Sequence, residues 1–152
     1  MEITALSDNL ALMDKAVDFF WSCWGNDDNF KFYRDCITHS VDPGKPLPRF
    51  YLGMHDGEII ASYALLTNDI ISRQDLYPWL ACLFVVPEHR NKGLAARLLQ
   101  HGLAQAAQKG FEHLYLSTDL EGFYEKNGWS LFGSGFNIFD GEIKIYWKET
   151  RG

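Results

Sequence analysis

Several features that define other classes of protein are missing from this sequence of 152 residues. The three cysteines, Cys23, Cys36 and Cys82, show no CxxC spacing. Neither a disulfide framework nor a cysteine metal site is therefore expected, and reduced thiols fit better. The five histidines are scattered without an HExxH pattern, so we expect no metal.

Membrane-spanning and export signals are missing as well. No apolar run approaches the roughly 20 residues that are needed to cross a bilayer. The first ten residues, MEITALSDNL, lack the basic start and the apolar run of a signal peptide. We therefore expect a cytoplasmic protein with no membrane partner.

The chain also lacks an excess of positive charge, because its net charge is −6 at pH 7. Proteins that bind a phosphate backbone normally carry a surplus of Lys and Arg, so no nucleic-acid partner is expected. Hydrophobic residues make up 47% of the chain and aromatic residues 15%, which is enough for a core built on large side chains. No repeat or linker interrupts the sequence, which predicts a single domain over residues 1–152.

The order of apolar patterns predicts the fold class. Helical spacing from Leu10 to Trp24, capped by Ser7 or Asp8 and ended by Gly25, predicts a first helix. A weaker helical pattern follows between Phe30 and Ile37. The later segments are a hairpin around Asp56-Gly57, a fully covered apolar strand WLACLFVV, a leucine-rich helix ended by Gly110, a strand EHLYLST, a short helix in EGFYEKNG and a closing hairpin.

A strand, a helix and a second strand in succession require parallel pairing, whereas hairpins add antiparallel pairs. The sequence therefore predicts an α/β fold with a mixed central sheet that is flanked by helices.

The turn between the apolar strand and the long helix carries the sequence Arg90-Asn91-Lys92-Gly93-Leu94-Ala95. The first turn of a helix leaves backbone N–H groups unpaired and carries partial positive charge. A small residue such as Gly93 lets an anion come close to that backbone. The turn therefore predicts a pyrophosphate site, although a capped turn with incidental basic residues has the same local pattern.

Two motifs resemble those of a known family. The segment Val85 to Leu99, VVPEHRNKGLAARLL, resembles the acetyl-CoA-binding motif of the GNAT N-acetyltransferases, [QR]xxGx[GA] after a strand ending in Val-x-Pro. The segment Gly122 to Trp129, GFYEKNGW, is similar to the FYEKxGF motif of that family. The resemblance implies an acetyl-CoA-dependent transfer of an acetyl group to a primary amine of a small molecule or peptide, on a sheet whose parallel strands splay apart.

The resemblance also implies the residues that hold acetyl-CoA. Backbone groups of Phe84, Val85 and Val86 would bind the pantetheine arm. The amides of the turn would bind the pyrophosphate, namely those of Arg90, Asn91, Lys92, Gly93, Leu94 and Ala95. Asp119 would contact the cofactor arm or orient a water, unless it is the N-cap of the short helix that follows.

Tyr124 matches the position of the acid that protonates the departing thiolate, and its alternative role is a core aromatic.

The general base is not identified, because the apolar strand offers no glutamate and carries Ala81 and Cys82 at the expected places. Four acidic loop residues, Asp27, Asp28, Asp69 and Asp75, are candidates for attracting a cationic acceptor, and their alternative role is an ordinary solvated surface.

A second class of function stays open beside the enzyme. A module of the same fold can bind acyl-CoA without turnover, as a sensor or interaction partner, and the missing strand glutamate favours that reading. The presence of Tyr124 favours the enzyme. A homodimer is expected by resemblance alone.

Overall fold

The computed structural model describes residues 1–151 and has the predicted mixture of helices and strands. The strands are β1 (Glu2–Ala5), β2 (Arg49–His55), β3 (Glu58–Leu66), β4 (Trp79–Val85), β5 (His113–Thr118), β6 (Ser130–Phe136) and β7 (Glu142–Glu149). The helices are α1 (Met13–Trp24), α2 (Phe30–Thr38), α3 (Leu94–Gln108) and α4 (Phe123–Lys126).

The strands form one seven-stranded sheet in the order β1-β2-β3-β4-β5-β7-β6. β4 and β5 are parallel, with Trp79 opposite Tyr115, whereas β1–β2, β5–β7 and β6–β7 are antiparallel. The α/β fold with a mixed sheet and flanking helices is therefore confirmed. The splaying of β4 from β5 stays a prediction.

The N-terminal segment differs from the prediction in two ways. Residues Glu2–Ala5 form an edge strand on β2, which the sequence pattern did not indicate. Two short 3₁₀ turns, Leu6–Asp8 and Leu10–Leu12, then precede α1. The helix consequently begins at Met13 and has no side-chain cap, so the predicted cap at Ser7 or Asp8 was wrong.

The chain divides into two compact units, each with its own buried cluster. The first comprises Met1–Ala64 and Cys82–Leu98. Its fully buried side chains include Leu6, Phe20 and Leu52, and the rings of Tyr51 and Tyr63 stack with their centroids 4.5 Å apart. Burial of such large apolar surfaces is the main stabilising contribution within the unit.

The second unit comprises Leu65–Ala81 and the chain from Leu99 onward. Ile71, Leu76, Trp79 and Ile145 form a buried cluster, against which Tyr115 and Ile143 pack. The indole N–H of Trp79 donates to the Leu76 carbonyl at 2.6 Å, so the largest side chain of this cluster is buried with its polar group satisfied.

The edge strand β6 is irregular. Its register against β7 shifts between Leu131 and Gly133, which is a β-bulge. At its other end, the backbone of Phe136 bonds to Ser72 in the segment between β3 and β4: Ser72 N–H donates to the Phe136 carbonyl, and Phe136 N–H donates to Ser72 Oγ, both at 2.9 Å. The regular, uncovered part of the edge is therefore short.

The β2–β3 hairpin provides a test of backbone conformation. Asp56 and Gly57 have φ of 50° and 78°, as a two-residue type I′ turn requires. We expect Gly57→Ala to lower the free energy of unfolding by about 1 kcal/mol, because a Cβ is disfavoured at positive φ. Gly133→Ala is the control, since its φ is outside that region and an added Cβ has nothing within 4 Å. Equal losses in urea denaturation would contradict this reading.

Candidate functional site

The connection from β4 to α3 is a tight turn closed by its own backbone. Pro87–His89 form a 3₁₀ turn. His89 N–H donates to the Val86 carbonyl at 3.0 Å, and Arg90 N–H donates to the Pro87 carbonyl at 3.3 Å. The proline at the first position of the turn fits, because that position has no N–H to satisfy. The turn places Arg90 to Gly93 directly before the helix.

The side chain of Arg90 folds back over the end of β4. Its Nε donates to the Val85 carbonyl at 2.8 Å, and its Cζ lies 5.2 Å from the centroid of the Phe84 ring. A guanidinium has five N–H donors, so this contact leaves its terminal nitrogens for other acceptors. Arg90 thus fixes the turn against the strand and at the same time keeps positive charge at the start of α3.

The backbone after Arg90 takes two left-handed residues. Asn91 has φ of 64° and Gly93 has φ of 75°, and Asn91, Lys92 and Gly93 are all exposed. Arg97 N–H donates to the Gly93 carbonyl at 3.2 Å. Leu94 and Ala95 precede Arg97 in the helix. Their amides therefore belong to the N-terminus, where N–H groups have no partner within the helix.

A cradle of this kind fits a pyrophosphate. A Cβ built on Gly93 has no atom within 4 Å, so the space above the backbone is open to a ligand. Successive exposed N–H groups at a turn and a helix N-terminus attract anions. Arg90 and Lys92 add formal positive charge to a chain that is negative overall.

The three predicted pantetheine-binding residues form the end of β4 and the residue after it. Phe84 is half-buried and packs edge-on against Phe19 and Trp24. The Val85 carbonyl accepts from Arg90, and Val86 N–H donates to the Ile60 carbonyl at 2.8 Å. The Val85 carbonyl and the Val86 N–H therefore already have hydrogen-bond partners within the protein. Binding of the pantetheine arm by this segment stays a prediction.

Cys82, in the middle of β4, has φ of 56°, and its carbonyl accepts from Ser62 Oγ at 2.9 Å. Left-handed backbone in a strand marks a local distortion. Residues Cys82–Phe84 are only half-buried, so the expectation of a strand covered on both faces was wrong for this part.

Tyr124 lies on α4 and is 8% exposed. Its ring contacts those of Phe123, Trp129 and Tyr146 at centroid distances of 5.0, 6.4 and 6.1 Å. Burial raises the pKa of Tyr124 above its ordinary value. The phenol consequently keeps its proton at neutral pH, which a hydrogen-bond or proton donor requires.

Asp119 lies exposed just after β5. The N-cap of α4 is Gly122, with φ of 89°, and its N–H donates to Glu125 Oε2 at 3.2 Å. The alternative role of Asp119 as the helix N-cap was therefore wrong. Its contact with the cofactor stays a prediction.

The acidic loop residues differ in their environments. Asp75 is paired with Arg73, whose Nε and Nη2 donate at 3.0 and 2.8 Å. Asp69 is half-buried in the segment between β3 and β4. Burial raises the pKa of Asp69 to about 6, against a lowering by Ser117. In the sequence only its charge distinguishes Asp69, because its burial arises in the folded chain.

Within residues 1–151, no three side chains of His, Cys, Asp or Glu come together in a group that could hold a metal ion. None of the three cysteines in this range is in a disulfide. None of the helices in this range combines the length and the hydropathy needed to cross a membrane.

Known structures share this architecture. An aminoglycoside 6'-N-acetyltransferase complexed with coenzyme A is 18% identical, with 100% of this chain and 98% of that chain covered and a TM-score of 0.75. The aminoglycoside 6'-N-acetyltransferase from Enterococcus faecium is 17% identical, with the same coverage and TM-score. A GNAT acetyltransferase from Elizabethkingia anophelis with acetyl-CoA bound is 19% identical over 67% of this chain and 76% of that chain, with a TM-score of 0.56. No curated protein matches the sequence.

At these identities the structural likeness defines a class of fold, that of the acetyltransferases. The family itself follows from the sequence, because the model of the acetyltransferase (GNAT) family matches residues 13–129. The chain belongs to the GNAT acetyltransferase family, and the resemblance stated from its two motifs is confirmed.

The Arg90 contacts provide a test of what holds the turn. We expect Arg90→Met, which keeps the apolar stem and removes the N–H donor, to lower the free energy of unfolding by about 1 kcal/mol. Arg34→Met is the matched control, because Arg34 is exposed on α2. The measurement is urea denaturation followed by circular dichroism, and equal midpoints for the two variants would contradict the assignment.

Proposed function

We propose that this protein is an acetyl-CoA-dependent N-acetyltransferase that acts on a primary amine of a small molecule or peptide. The observation that carries the proposal is the turn before α3. Its backbone is left-handed at Asn91 and Gly93, and the space above Gly93 is open, inside the segment that the GNAT family model matches. Solved members of this fold contain coenzyme A or acetyl-CoA.

The residues of the turn would hold the pyrophosphate through two kinds of interaction. Five consecutive backbone amides offer N–H donors, namely those of Asn91, Lys92, Gly93, Leu94 and Ala95. The charges of Arg90 and Lys92 add long-range attraction, which is strongest at low ionic strength. The bond from Arg90 to Val85 keeps the cradle formed before the ligand arrives, which reduces the ordering cost of binding.

Bound acetyl-CoA would supply an acetyl thioester whose carbonyl carbon accepts the amine. Residues of this chain would accept a proton from the ammonium form of the amine and provide a proton for the departing thiolate. Tyr124 is the donor that we propose, because its buried phenol stays protonated at neutral pH and a phenol can share a proton with a thiolate of lower pKa.

Two solved neighbours are described as aminoglycoside 6'-N-acetyltransferases. An aminoglycoside is therefore one acceptor to test. The panel of acceptors also contains a linear polyamine, an amino acid and a peptide. The net charge of −6 suits acceptors of this cationic class. The cytoplasmic location and the homodimer stay predictions.

The alternative function is a non-catalytic acyl-CoA-binding sensor or interaction module. The observation that favours it is the apolar character of β4, in which Trp79, Leu80 and Ala81 are buried and no carboxylate occurs. The two functions differ in turnover, which the second experiment below measures.

The first experiment tests coenzyme A binding. We expect calorimetry to detect binding, and Gly93→Ala to weaken it about tenfold, since a Cβ at φ of 75° strains the cradle. Gly110→Ala is the matched control, because Gly110 has φ of 89° at the end of α3 and equally open space. It should lose stability but keep its affinity. An absence of heat with the folded wild-type protein would contradict coenzyme A binding.

The second experiment tests catalysis. Thiol release from acetyl-CoA is measured with kanamycin A, spermidine, L-phenylalanine and a short peptide with a free N-terminus. We expect Tyr124→Phe to lower kcat by about 100-fold and to leave the affinity for acetyl-CoA within about twofold. Tyr146→Phe is the control, since the same hydroxyl is removed from a ring 6.1 Å away. Binding without any turnover would favour the sensor.

A further inference from the structure

We propose that the β6 edge and the turn after it bind a second copy of this chain through exposed apolar side chains. The surface comprises residues 130–139, which we call the apolar strip; it contains β6 and the first part of the turn to β7, within the second compact unit. The inference gives the homodimer, which the resemblance alone implies, a defined surface. It goes beyond the proposed function, because association needs neither acceptor nor acetyl-CoA.

Large apolar side chains are exposed along the whole strip. They are those of Leu131, Phe132, Phe136, Ile138 and Phe139, and their exposed fractions run from 38% at Phe132 to 86% at Phe139. The other exposed large hydrophobic residues among residues 1–151 are scattered, namely Leu10, Trp24, Phe32, Ile70, Tyr77 and Leu120. Single exposed apolar residues are normal on a protein surface, whereas a concentration of five within ten residues indicates an interaction site.

The exposed area of the strip matches what one partner brings to a dimer. Taken at about 200 Å² for each whole side chain, the five exposed fractions amount to roughly 600 Å² of apolar surface. This is the upper end of the range of about 300–600 Å² for the largest apolar patch of an ordinary monomer. A standard interface buries about 800 Å² per partner, of which about two thirds is apolar in homodimers. The strip therefore supplies enough apolar surface for one half of a dimer.

The strip carries no charged residue. Its sequence is SLFGSGFNIF, in a chain of which 22% is charged. Edge strands are commonly protected from other chains by lysine or proline residues, and neither occurs here. Because each copy has a net charge of −6, two copies repel each other least where both surfaces are uncharged. The strip is such a surface, and an uncharged apolar surface is complementary to itself.

The turn after β6 holds two of the apolar side chains on a fixed backbone. Asn137 Oδ1 accepts from Phe139 N–H at 2.9 Å and from Gly141 N–H at 3.0 Å. Asn137 N–H donates to the Gly141 carbonyl at 2.9 Å. Ile138 and Phe139 therefore project from a hydrogen-bonded turn, so that a partner binds them with little loss of chain entropy.

The second copy packs by side chains rather than by continuing the sheet. Ser72 occupies both backbone groups of Phe136, and the bulge at Leu131–Gly133 interrupts the ladder. Long backbone pairing with another β6 is therefore blocked at both ends. The exposed side chains on either side of these interruptions stay available to a partner.

The charges at the two ends of the strip favour an antiparallel, two-fold arrangement. Asp140 and Glu142 follow the strip and are exposed. Before its start, the ammonium of Lys148 lies 3.2 Å from the Gly128 carbonyl. A two-fold axis through the middle of the strip brings the acidic end of each copy toward the lysine end of the other. A parallel arrangement would place like charges together.

The experiment determines the mass of the full chain by sedimentation equilibrium as a function of concentration. We expect a monomer–dimer equilibrium, and Phe139→Asp should raise its Kd at least about 30-fold, because two carboxylates then enter one apolar interface. Leu131→Asp should act in the same direction. Phe32→Asp is the matched control, since Phe32 is 57% exposed on α2 outside the strip, and its Kd should equal that of the wild type. Circular dichroism checks that each variant is folded.

Wild-type protein that stays monomeric at about 100 µM would overturn the proposal. A Kd that neither Phe139→Asp nor Leu131→Asp changes would also overturn it, and so would an assembly that grows beyond two copies, since a two-fold interface closes. Co-sedimentation with phosphatidylcholine vesicles tests the other occupant. A monomer that binds these vesicles, and loses this binding in Phe139→Asp, would assign the strip to a lipid surface instead.

Discussion

The hydrogen bond from Arg90 Nε to the Val85 carbonyl is the contact on which the β4–α3 turn depends. It joins the last residue of a strand to the first basic residue of a turn, and the guanidinium also lies over the Phe84 ring. With the turn fixed in this way, the exposed amides at the start of α3 are held together before any ligand is present. Preorganisation of donors is what gives such a site its affinity for an anion.

Left-handed backbone at non-glycine residues is confined to a few positions of residues 1–151. Positive φ at non-glycine residues occurs at Ile70, Cys82 and Asn91, as well as in two hairpin turns at Asp56 and Asp140. The hairpin residues are of types that tolerate this conformation, whereas Ile70 is β-branched. Asn91 lies in the turn that we propose for the pyrophosphate, where a fixed backbone geometry would be needed.

Much of the fold was predictable because its signals are local. The Asp56-Gly57 turn, the leucine spacing of α3 and the apolar run of β4 each depend on neighbours in sequence. β1 was missed because four residues carry too little pattern, and the start of α1 was misplaced because two 3₁₀ turns precede Met13. The burial that raises the pKa of Asp69 arises only in the folded chain, so no local pattern predicts it.

The β6 edge has a consequence for the solubility of the chain. A free edge of a sheet is a template on which another polypeptide can add by backbone pairing. Here the bulge at Leu131–Gly133 breaks the ladder near one end, and Ser72 occupies both backbone groups of Phe136 near the other. The regular stretch left for such pairing is short, although β6 exposes Leu131, Phe132 and Phe136. The loop between β3 and β4 thereby occupies one end of this edge, where another strand would otherwise find free backbone groups.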